Sequence, residues 1–211
     1  MAISMTNRTM PFVLGALCII PVAGTLYRLA EIFIEGQWSL RFNPEFVDRL
    51  PLFIHGVTML MFLVLGAMQI SPRIRQKGPK LHRALGRLAA AGAVLGGLSG
   101  VWMTIAHSEI STPLLFAGRL IFGSAMAAFA VFAIRDAMHR NFLSHRNWII
   151  RSYAIAFNAA SMPLLCLPII LIIGQPVPII DDAFQVTGWI INLVIAERFF
   201  ITRPVYQGEQ A

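Results

Sequence analysis

From residue 11 onward the sequence turns apolar for about twenty residues at a time, over 11–33, 51–71, 87–107, 113–134, 148–173 and 183–202. An α-helix needs about 20 mostly apolar residues to cross the hydrocarbon core of a bilayer. Backbone amides in lipid must be satisfied within their own segment, so runs of this length read as helices. The expectation is an all-α, polytopic membrane helical bundle of six transmembrane helices, one integral membrane domain over residues 1–211. The longest connection, 34–50, is too short to bury a second core. Charge is scarce to match: 13% of residues are charged, where soluble domains carry about 25%.

The formal net charge of +7 would suit a nucleic-acid binder if it were spread over one surface. Its distribution points elsewhere. Residues 72–87 hold Arg73, Arg75, Lys77, Lys80, Arg83 and Arg87 with no acid, and 135–151 add Arg135, Arg140, Arg146 and Arg151 against Asp136. The alternate connections, 34–50, 108–112 and 174–182, carry the acids Glu35, Glu45, Asp48, Glu109, Asp181 and Asp182 against Arg41 and Arg49. Basic residues flanking spans stay in the cytoplasm. Both basic loops and both the N- and C-termini are therefore expected inside, against the lipid bilayer, where the loops attract anionic lipid head groups. No nucleic-acid partner is implied. The run 11–27 is long for the apolar core of a signal peptide and continues apolar past any plausible cleavage point, so it reads as the first span. Cys18 and Cys166 fall inside spans without a CxxC pattern and read as packing residues.

Glycines at 92, 96 and 100 share one face of span 3 and let another backbone approach. The favoured use is packing within the chain, with span 4 (Gly123, Ala127) as the natural neighbour. Pro163 and Pro168 should kink or loosen span 5. Spans 2–3 and 4–5 each enter their second helix with "HR", His82-Arg83 and His145-Arg146. Stepping back 27 and 26 residues reaches His55 and Arg119, which suggests a weakly duplicated hairpin.

Ionisable groups inside a membrane are functional candidates by default. His55, His107 and Arg119, with Arg28 and Glu31, fall at one depth on the outer side; His82, Arg87, His145, Arg151 and Glu197 form an inner set. Three readings compete for the histidines. Two imidazoles at matching depth could clamp a haem b iron, His55 with His107 or His82 with His145, while Arg119, Arg87 and Arg151 pair with propionates. The same groups could relay protons or contact a solute. The plain reading is that they hydrogen-bond to head groups, carbonyls or glutamates. His139 reads as solvated. Glu197 needs a partner, and a structural ion pair with Arg151 is preferred over a proton site. Asn192 should bond to a neighbouring helix. No Gly-rich phosphate loop, GxSxG elbow or HExxH motif is present.

The stretches "FIHGVTMLMFLVLGAMQISPRIRQKGPKLHRALGR", "HRNWIIRSYAIAF" and "WIINLVIAE" resemble the bacterial predicted-membrane-protein family termed domain of unknown function 2306, from about Leu52 to Glu197. The resemblance puts His55, His82, Arg83, Gly86, Arg87, His107, His145, Arg146, Trp148, Arg151, Asn192 and Glu197 on motif positions. It also implies an arginine midway along the fifth span, where this chain has "NAASMPLL"; Arg119 is the candidate substitute. A multi-pass protein of a bacterial inner membrane is implied. The leading functional expectation is a haem-b electron carrier serving a quinone or a membrane redox partner. A small-solute or proton transporter or channel, and a non-catalytic accessory or assembly subunit, are the alternatives.

Overall fold

The computed structural model describes residues 15–34, 49–69, 72–174 and 178–201. The 35–48 connection and the side chains of Arg28 and Glu31 lie outside the described residues. Helices follow in the order α1 (Ile19–Ile34), α2 (Arg49–Gln69), the short α3 (Pro72–Lys77), α4 (Pro79–Ala106), α5 (Pro113–Met138), α6 (Phe142–Ala156), α7 (Asn158–Ile173) and α8 (Pro178–Ile195), which ends in a π-helical turn, Ala196–Phe200. Four segments, Leu50–Gln69, Pro79–Ala106, Pro113–Met138 and Pro178–Phe200, are each long and apolar enough to cross a bilayer. The pair α6–α7, bent by 41°, passes the same test only when taken together, as a broken span or a re-entrant loop, so the described helices number four to five spans. The apolar part of the N-terminal run, Gly15–Tyr27, is shorter than a span. Six spans are thus not reached among the described residues.

Two expectations need correction. The basic segments 72–87 and 135–151 are largely helical rather than loops. Residues 79–87 form the first turns of α4, with Pro79 at the position where its missing N–H is harmless. Between α5 and α6 the turn is only three residues long, 139–141. Arg140 adopts a left-handed conformation there (φ 61°), and the Asn141 N–H returns to the Asp136 carbonyl at 2.8 Å, closing α5. Asn141 then caps α6 by accepting from the Ser144 N–H at 3.3 Å.

The fifth span also breaks elsewhere than at its prolines. The chain turns at Phe157, six residues before Pro163, and α7 restarts at Asn158 with the Ala160 N–H bonded to the Phe157 carbonyl at 2.9 Å. Pro163 has no N–H to give the Ala159 carbonyl and its ring crowds that turn. The regular helix therefore yields ahead of it.

Small residues set the packing. In α4, a Cβ at Gly92 would lie 2.8 Å from the Thr58 carbonyl of α2, and one at Gly97 would lie 2.7 Å from the Gly123 carbonyl of α5. The glycines thus serve packing within the chain, with α2 and α5 on either side of α4. Buried Ala89, Ala93 and Ala130 continue this close seam, as expected where packing rather than hydrophobicity joins helices in lipid.

The motif "HRNWIIRSYA" docks α6 into this frame. Trp148 stacks on Phe129 of α5 with centroids 5.3 Å apart. Ser152 Oγ donates to the Met126 carbonyl at 3.0 Å. Tyr153 reaches α2, where its hydroxyl donates to the Leu63 carbonyl at 2.9 Å and its ring meets Phe62 edge-on at 5.5 Å. Tyr153→Phe should therefore lower stability by about 1 kcal/mol, one hydrogen bond's net worth. A melting curve in detergent checks this; no change would mean that the ring alone carries the contact.

Candidate functional site

One end of the bundle is basic and holds the 72–87 and 135–151 segments. The opposite end is formed by the start of α2, the end of α4 and the starts of α5 and α8. A cavity of about 420 Å³ runs inward from that opposite end, walled by α2, α4, α5, the α6–α7 break and α8.

His55 enters it from the second turn of α2. Its Nδ1 lies 2.9 Å from the Gly96 carbonyl and 3.3 Å from Ser99 Oγ. A carbonyl only accepts, so Nδ1 carries the proton and Nε2 keeps its lone pair. Gly100 leaves room for the ring, since a Cβ there would stand 3.2 Å from His55 Cε1.

His107 closes α4 and is buried. Neither of its ring nitrogens has a hydrogen-bond partner among the described residues. The Glu109 Oε1 lies 3.9 Å from the His107 Nδ1. Arg119, from the second turn of α5, donates through Nη1 to Ser111 Oγ at 3.0 Å. Thr112 ties the start of α5 to α8 by donating to Asp182 Oδ2 at 2.6 Å.

Two wall residues escaped the sequence reading. Asn158, at the break, donates from Nδ2 to the Gln185 carbonyl at 3.2 Å, while its Oδ1 has no partner. Gly188 of α8 makes room for this amide, because a Cβ there would overlap Oδ1. Gln185 also lines the cavity. A lone asparagine in the apolar "IAFNAAS" was the available signal for Asn158; nothing in sequence singled out Gln185.

His55, His107 and Arg119 are thus brought together, and the inner set stands apart from the cavity. His145 Nδ1 lies 2.8 Å from the Ala133 carbonyl, so that imidazole fastens α6 to the end of α5. His82 is close enough to His145 and Arg75 to interact electrostatically, and its Nδ1 has no hydrogen-bond partner. Arg87 is exposed. Arg151 makes a two-point contact with Glu197 of the π-helical turn, with Nη2 3.2 Å from Oε2. The same guanidinium lies 4.7 Å over the Trp148 ring. Asn192 donates to Ser161 Oγ at 2.8 Å, across α8 and α7. His139, at the end of α5, is exposed. Among the described residues, no cluster of three or more His, Cys, Asp or Glu side chains could hold a metal ion.

The fold and cavity together define a multi-pass, α-helical integral membrane protein with a chamber near one end whose mostly apolar wall carries a few polar side chains. The chain belongs to the family described as "Predicted membrane protein (DUF2306)", whose model matches residues 52–200. No curated protein and no solved structure matches the chain.

Proposed function

We propose that this protein binds a small ligand in the cavity, as a carrier or transporter of a bacterial inner membrane. In this reading the bundle has six spans, with the basic end and both termini in the cytoplasm and the cavity in the outer half. The observation that supports it most is His107, a residue of the cavity wall whose two buried ring nitrogens have no hydrogen-bond partner among the described residues. Buried polar groups are nearly always hydrogen-bonded, and leaving one unmet costs about 1–3 kcal/mol. An occupant bearing polar atoms removes that cost once the ring turns to meet it. The volume falls in the range of small-molecule sites, and a broken helix is tolerated in lipid where it lines a cavity.

A haem-b electron carrier, passing electrons to a quinone or partner subunit, is the second reading. His55 favours it, because an Nδ1–H held by a carbonyl is the usual support of a metal-ligating imidazole. The arrangement of the pair weighs against it. Two nitrogens on one iron stand about 4 Å apart across it. His55 instead lies against Gly100, seven residues or about 10.5 Å of helix rise before His107. A Cβ at Gly96 would stand 2.7 Å from Met59 Sδ, so α2 and α4 leave no slot for a macrocycle between them.

Absorbance and native mass spectrometry of detergent-purified protein separate the readings. The expected result is no Soret band, with a bound small molecule that is lost in a folded His107→Leu variant. A Soret band abolished by His55→Ala and His107→Ala would establish the haem reading instead. Absence of both band and bound molecule would remove both.

A further inference from the structure

Among the described residues Arg119 is the one charged side chain on the cavity wall, and no Asp or Glu of that set lines it. Among the described residues Arg119 makes no ion pair, and the hydrogen bond it makes, to Ser111, uses one of its five N–H donors. Asp182 is near enough to act on it electrostatically, but that carboxylate accepts from Thr112 instead. Arginines within membrane segments pair with something. A guanidinium is a rigid fork matched to two oxygens of a carboxylate or phosphate. His107 lies on the same wall, its two ring nitrogens without a hydrogen-bond partner among the described residues. The rest of the chamber is mostly apolar, with four methionines (Met59, Met103, Met126, Met162) and Trp189.

We propose that the cavity's ligand carries an oxyanion head, a carboxylate or phosphate, held by Arg119, on an apolar body that lies among the methionines. The inference rests on the cavity being a binding site and specifies what enters it. Such a molecule is either a free organic acid or an anionic lipid.

The test uses the full chain in nanodiscs of neutral phosphatidylcholine, titrated calorimetrically with hexanoate, hexanol and hexylamine. Hexanoate should bind most tightly, and Arg119→Gln should weaken it about tenfold or more while leaving hexanol unchanged. Arg119→Lys, which keeps the charge and loses the fork, should fall between. Asp182→Asn keeps an acceptor for Thr112 and removes a competing negative charge, so it should tighten hexanoate, a gain that a misfolded variant cannot show. A second arm replaces hexanoate by phosphatidic acid in the disc. Thermal stabilisation that disappears in Arg119→Gln would identify the lipid as the source, and a response to hexanoate alone would identify the free acid. Hexanol and hexanoate binding equally, or hexanoate binding that survives Arg119→Gln, would overturn the inference and leave the cavity reading standing. If no probe binds and phosphatidic acid has no effect, both fall.

Discussion

Gly97→Leu should abolish recovery of the folded protein. A Cβ at this position would come within 2.7 Å of the Gly123 carbonyl, 3.0 Å of Ala127 Cβ and 3.1 Å of the Ala127 amide nitrogen. Two of these atoms are backbone, so no rotamer change relieves the clash, and α4 must move away from α5. Overpacking a tight seam costs about 1–3 kcal/mol and at times more; leucine adds three further carbons beyond Cβ. In lipid, separated helices gain nothing from hydrophobic collapse, so the lost contact is not recovered elsewhere. Leu98→Ala serves as the control, because Leu98 points out of the bundle and is 54% exposed. Size-exclusion recovery and detergent melting of the two variants check the prediction. A Gly97→Leu protein as stable as the control would mean that α4 and α5 do not pack as described.

Arg151→Glu and Glu197→Arg should each destabilise strongly, and the double exchange should recover much of the loss. Each single change sets two like charges face to face where a two-point ion pair stood. Breaking a fully buried pair costs about 3–5 kcal/mol. With side-chain exposures of 22% for Arg151 and 43% for Glu197, about 2–3 kcal/mol is the better expectation. The double variant restores attraction but loses the guanidinium's place over Trp148, so recovery should be incomplete. A double-mutant cycle by thermal or denaturant unfolding measures the coupling. Additive losses would show that the two residues act separately.

Both variants probe features that differ in how they could be read beforehand. The glycine spacing in α4 signals close approach, because only a missing Cβ at i and i+4 leaves a flat helix face. Its partners were less evident: Gly92 and Gly96 meet α2, and Gly97 meets α5, a division that depends on the angle at which each helix crosses α4. Glu197 was legible as a residue in need of a cation. The choice of Arg151 over Arg87 or Arg198 rests on the π-helical turn at Ala196–Phe200, which sequence periodicity does not reveal. The break at Phe157 was hidden for a related reason. Prolines mark where a helix lacks a hydrogen bond, but where the chain yields depends on what its neighbours can accommodate, here Asn158 against Gly188.

The site divides in the same way. Depth along a helix can be counted in residues, so His55, His107 and Arg119 could be placed toward the same end of the bundle from their positions alone, although His55 meets α4 at Gly100, seven residues short of His107. Counting could not say that both imidazoles lie along one side of α4, offset rather than opposed. Nor could it say that Asn158 and Gln185 complete the wall. Hydrophobicity is a property of each segment by itself, and burying it in lipid requires no partner; membrane residence and helical class were therefore written in the chain. Which polar groups meet, and which of them remain unpaired around a chamber, depends on rotation and contact between helices distant in sequence. Only the packed bundle decides that.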